Sequence, residues 1–216
     1  MFDSDNPVIA FLGKITDIVI LNLLFVICSI PIFTIGASIT AVYYVTVKMV
    51  KNEESYAWRD FLKSFKQNFF QATIIWLINL MTLAIYGVAV LSVTGGDINS
   101  LSGASFVGFV VVGIAILAVM AYVYPLLSHF DNTIGNTIKN AILLAIGNLP
   151  YTVLFILLMI LPVAAYLTPF GLYIIPVILL LGIAGPAYIS SFGWKIIFDK
   201  LDPKEDQREK NGKKEE

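Results

Sequence analysis

The chain of 216 residues is 58% hydrophobic and only 13% charged, with a mean hydropathy of +0.83, where a soluble domain carries about 25% charged residues. These values exclude an ordinary soluble domain, and a net charge of −1 argues against nucleic acid as a partner. No polar stretch is long enough to build a second core, so the expectation is an all-α, polytopic membrane bundle over residues 1–198 with a charged tail over 199–216.

A helix needs about 20 apolar residues to cross a hydrocarbon core of roughly 30 Å. The apolar runs that qualify are 10–30, 34–50, 69–93, 105–128, 150–168 and 172–194. They predict six spans. The apolar stretch after Lys14 is too long for the core of a cleavable signal. Cys28, the lone cysteine, can make no internal disulfide and reads as a small apolar residue.

Lysine and arginine are retained on the cytoplasmic side of short loops. With both termini inside, the inner segments hold all 14 basic residues, from Lys14 through the Lys48–Lys66 group and Lys139 to the tail. The outer turns near Pro31, Thr94–Ala104 and Pro169 hold none. A single helix from Thr16 to Lys48 would be about 50 Å long and would put basic groups on opposite faces. The chain therefore reverses near Pro31, which ends the first helix, and Thr34 is the expected N-cap of the second.

Between the second and third spans, residues 55–70 place Trp58, Phe61, Leu62, Phe65 and Phe69 on one helical stripe, opposed by Arg59, Lys63, Lys66 and Gln67. This predicts an amphipathic helix on the inner membrane surface. The stretch from residue 132 repeats the arrangement, with Ile138, Ala141, Ile142, Ala145 and Leu149 in the stripe and the surface helix over 132–147. An offset of 80 residues aligns the two stripes, Ala41-Val-Tyr-Tyr44 with Ala121-Tyr-Val-Tyr124, Arg59 with Lys139, and Asn68 with Asn148. A parallel duplication of span, surface helix and span would produce this pattern, with the first and last helices added.

The segments Cys28-Ser-Ile-Pro31, Thr34-Ile-Gly36-Ala-Ser38, Ala41-Val-Tyr-Tyr44, Asn52-Glu-Glu-Ser-Tyr56 and Asp60 to Asn68, with the later Phe130-Asp-Asn-Thr133, resemble the YesL-like family. These are bacterial membrane proteins of unassigned function. The resemblance implies a multi-pass protein of the bacterial cell membrane, encoded near sugar-uptake systems and sensor kinases. It supplies no catalytic residues.

The sequence holds no HExxH, GxSxG or P-loop pattern, and its one histidine, His129, has only Asp131 beside it, too little for a zinc site. No ionisable residue falls in the middle of a span, where each would cost at least about 2.5 kcal/mol; Asp17 is the nearest and is expected to pair with Lys14 or to anchor the interface. Neither catalysis, a cofactor nor proton-coupled pumping is expected. The neutral polar residues Asn22, Ser29, Thr34, Ser38, Tyr43, Tyr44 and Tyr124 either line a pocket for a small neutral solute such as a saccharide or make interhelical hydrogen bonds. Gly36, Gly108, Gly113, Gly182 and Gly185 permit close packing, and Gly185-Pro186 is the sharpest expected kink. Arg59, Asp60, Lys63, Lys66, Asn68, Asp131, Asn132 and Lys139 form a candidate cytoplasmic face for a partner. The expected role is a non-enzymatic accessory or regulatory protein beside a sugar-uptake permease or a sensor kinase. The alternative is a transporter or solute-binding membrane component.

Overall fold

A computed structural model describes residues 7–53, 56–97, 102–169 and 171–201. Every element among the described residues is helical. In chain order these are α1 (Pro7–Cys28), a 3-10 turn (Ile32–Thr34), α2 (Ile35–Lys51), α3 (Ala57–Thr94), α4 (Gly103–His129), α5 (Ile134–Gly147), α6 (Leu149–Tyr166), α7 (Gly171–Leu181) and α8 (Ala184–Leu201). Among the described residues, five spans are long and apolar enough to cross a membrane, and a sixth results if the bent α7–α8 pair counts as one. The bundle is that of a multi-pass membrane protein. The expected tail begins inside α8, and its residues from 202 onward lie outside the described residues.

Two expectations about helix boundaries change. The amphipathic stretch after residue 55 is not a separate surface helix: it runs without a break into the third span, giving the 38 residues of α3. Its counterpart, α5, does stop before the next span. The difference lies at Phe70 and Pro150, which the 80-residue offset aligns. Proline lacks the N–H that would continue the helix and is accepted only in a first turn, so α6 starts afresh with Pro150 in its first turn.

Several positions related by the 80-residue offset are buried alike. Ser38 and Ala118, Ala41 and Ala121, Val42 and Tyr122, Phe61 and Ala141, Ala72 and Thr152, and Ile75 and Phe155 are pairs at that offset, and all twelve residues are buried. Asn68 donates to Ser64 O at 3.2 Å and Asn148 donates to Leu144 O at 3.1 Å, the same bond in each unit. α2 packs along α3, and α4 packs along α5 and α6.

α2 is held to α3 at both ends. Lys48 pairs with Asp60 at 3.0 Å, and Trp76 Nε1 donates to Ile32 O at 2.8 Å. Between them Gly36 lets the helices touch, since a Cβ there would lie 2.5 Å from Ala72 O. α2 therefore covers only the part of α3 up to Trp76. Residues 77–94 continue past the α1–α2 turn by about 27 Å at 1.5 Å per residue, and their partner is α4, through Asn79 to Tyr124 and Tyr86 to Phe109 O, both 2.8 Å. Gly113 makes room for the Tyr86 hydroxyl; Gly108 faces nothing within 4 Å, and a Cβ at Gly185 would meet only Leu181 Cβ, at 3.7 Å.

An aromatic core joins the second unit to α8. Trp194 stacks on Phe155 at 5.0 Å and meets Tyr122 edge-on at 4.8 Å, and Ser191 donates to Thr46 at 2.8 Å.

Candidate functional site

The polar residues that stand out in the apolar sequence separate into three places. The first is the junction of α7 and α8, which are bent by 45°. The break falls at Gly182-Ile183, earlier than the expected Gly185-Pro186. Pro186 is nonetheless its cause, because its missing N–H and its ring both act on the carbonyl four residues back, that of Gly182. Asn22 of α1, 1% exposed, repairs the gap. Its Nδ2 donates to Ile178 O at 3.2 Å and Leu179 O at 2.8 Å, and its Oδ1 accepts from the N–H groups of Ile183 and Ala184, both at 2.9 Å. One amide thus serves the end of one helix and the start of the next. Inside a membrane each such group left unsatisfied costs several kcal/mol.

The α1–α2 turn is the second place, and here the polar atoms have local roles. Thr34 carries no N-cap bond for α2. Its backbone is in the αR region and its hydroxyl turns back, 2.5 Å from Cys28 O and 2.6 Å from Pro31 O. That closes the end of α1 instead of opening α2. Ser38 bonds to Thr34 O at 3.3 Å, and Ser29 Oγ is buried with no hydrogen-bond partner. A cavity of about 100 Å³ lies deeper, between α2, α4, α6 and the α7–α8 break, with Tyr43 and Tyr124 as its polar lining. Of the polar residues singled out above, only these two reach it.

The third place is the end of the bundle where the basic residues gather. Lys14 of α1 donates to Asn52 at 3.1 Å and does not pair with Asp17. Asn52 adopts a left-handed conformation (φ 55°) and ends α2. Two polar cavities lie here and share Tyr44, Ser128 and His129 as walls. One, of about 200 Å³, adds Lys48, Lys51 and Glu53. The other, of about 380 Å³, adds Lys63, Gln67, Asn68, Phe130 and Asp131. His129 is stacked on Phe198 at 4.1 Å, which ties this wall to α8.

The structure therefore gathers Lys63, Asn68 and Asp131 at one cavity, with Asp60 paired to Lys48 beside it. Arg59 and Lys66 lie on the exposed side of α3, Lys139 on the exposed side of α5, and Asn132 in a neighbouring groove. Sequence reasoning missed Tyr44 as a wall of the basic-end cavities, read Gln67 only as part of the polar helix face, and did not select Ser128 or Glu53 as site residues. The usable signal was the level at which both α3 and α4 change from apolar to polar.

No curated protein and no solved structure matches this chain. A family model described as "Protein of unknown function, DUF624" matches residues 18–90, from within α1 to late α3, and over that stretch the chain is similar to an uncharacterised family.

Proposed function

We propose that this is a non-enzymatic accessory or regulatory protein of the bacterial cell membrane, with both termini in the cytoplasm. Its basic end would dock against a sugar-uptake permease or a sensor kinase. The observation that carries the reading is the outward side of α3's first turns. Trp58 is 50% exposed and Tyr56, just before the helix, 69%, and the Arg59 guanidinium lies over both rings, at 5.1 and 5.4 Å. The opposite side of the same turns, Ala57, Phe61 and Ser64, is buried. Tyr, Trp and Arg are the residues that dominate binding energy at protein interfaces. The association with sugar uptake and sensor kinases comes from the YesL-like resemblance of the first 70 residues.

A photo-crosslinking side chain at Trp58, followed by mild-detergent purification, tests the reading. A permease or kinase subunit should be captured, and Arg59→Ala should reduce its yield. Recovery of this chain alone, or only as its own oligomer, would count against the role.

The cavity beside the α7–α8 break supports the second reading, a site for a small neutral solute, because interrupted helices surround the binding sites of many transporters. Its volume of about 100 Å³ is below the roughly 300 Å³ at which ligand pockets start, which favours the accessory role. Liposomes carrying the protein that bind or move saccharides would reverse that order.

A further inference from the structure

α3 and α4 change character at one level. On α3, Lys63, Lys66, Gln67 and Asn68 are followed by Phe69 and Phe70; on α4, the apolar run ends at Leu127 and Ser128, His129 and Asp131 follow. The 380 Å³ cavity opens at that boundary. Lys63 and Asp131 both line it, and among the described residues neither has an ion-pair partner. Phe130 is also a wall of a second cavity, about 370 Å³, whose apolar lining includes Leu126, Leu143, Leu144 and Leu201. The 80-residue offset aligns Leu143 with Lys63. Corresponding positions of the two units thus supply a cation to one cavity and a leucine to its neighbour.

We propose that these adjoining cavities hold one phospholipid with an aminoalkyl phosphate headgroup. Lys63 receives the phosphate at the cavity it shares with Asn68, whose own Nδ2 is held by Ser64. Asp131 receives the ammonium group, and an acyl chain lies in the leucine-lined cavity past Phe130. A ligand of both charge signs fits walls that carry both. An anionic headgroup lacking the amine would set its charge against Asp131 with nothing to offset it. A soluble zwitterion would leave the apolar cavity empty. The depth agrees, because headgroups stand where spanning helices turn polar. The inference rests on the membrane placement of the bundle and is independent of any docking partner.

The test is native mass spectrometry of the full chain in mild detergent, with dioleoyl phosphatidylethanolamine or dioleoyl phosphatidylglycerol added. One phosphatidylethanolamine should remain bound at collision energies that strip phosphatidylglycerol. Lys63→Leu and Asp131→Asn should each reduce the bound fraction about tenfold, the effect of losing one charge-assisted contact, while Lys66→Leu, which lines neither cavity, should not. Asp131→Lys should turn the preference toward phosphatidylglycerol. Because that preference is a ratio within one sample, it is independent of how well a variant expresses. Equal retention of both lipids by the unmodified protein, full retention by Lys63→Leu, or displacement by free phosphoethanolamine would overturn the proposal.

Discussion

Asn22 Oδ1 accepts the backbone N–H of Ala184 at 2.9 Å across 162 residues of sequence. With the three other bonds of the same side chain it fixes the first helix to the last span. Asn22→Leu would remove a hydrogen bond from four backbone groups at once, of which only Ile178 O keeps another, from the Gly182 N–H. We expect a loss of about 3 kcal/mol or more, read as a lower unfolding midpoint in detergent. Asn22→Asp keeps the two acceptor bonds but sets a carboxylate against two carbonyls, and it should be no more stable than the leucine variant.

Glycine substitutions should divide by location. Gly36→Ala places a methyl 2.5 Å from Ala72 O and should cost about 1–3 kcal/mol, as overpacking does. Gly108→Ala faces nothing within 4 Å and should be neutral or stabilising by up to about 1 kcal/mol, from helix propensity alone. Thermal melts of the two proteins in the same detergent make the comparison.

The Lys48–Asp60 pair joins the end of α2 to the start of α3, with both side chains about one-fifth exposed (20% and 17%). In a double-mutant cycle with Lys48→Met and Asp60→Asn, a coupling of about 0.5–1 kcal/mol is expected. It should shrink as salt is raised. Additive single changes would show that the pair contributes nothing.

The two hairpin turns should differ in access to water. With Cys28 replaced by alanine, Gly96→Cys should react with a membrane-impermeant maleimide. Ile32→Cys, although 68% exposed on the protein itself, should be shielded by lipid. Equal labelling rates would place both turns at one surface.

Hydropathy sufficed to locate the spans, because each is a long apolar run whose few charges, Lys14, Asp17 and Lys48, lie toward its ends. The continuity of α3 was not legible, since a helix needs no signal to pass from an amphipathic stretch into an apolar one. The contrast of Phe70 with Pro150 was the clue. Asn22 stood out as an amide in an apolar helix, but its role depends on backbone groups 156–162 residues away, which no local pattern encodes. Thr34 has the composition of an N-cap, yet the 3-10 turn before α2 leaves its hydroxyl nearer the carbonyls of the preceding helix. At the basic end, Lys63, Asn68 and Asp131 could be selected for their charge or polarity. Their convergence with Tyr44 and His129 follows from the packing of α2 against α4.

The unequal reach of the two hairpins also bears on the lipid around them. A bilayer that matches α3 and α4 along their apolar length is too thick for α1 and α2 by up to about 27 Å, the length of residues 77–94, which is more than one leaflet. Acyl chains must therefore fold over Ile30, Ile32 and Phe33, which are all exposed at the low turn. Each ångström of such mismatch costs a fraction of a kcal/mol. In such a bilayer the protein would act as a step in the plane of the membrane, and a thinner bilayer, or a neighbouring helix seated above Pro31, would relieve the deformation.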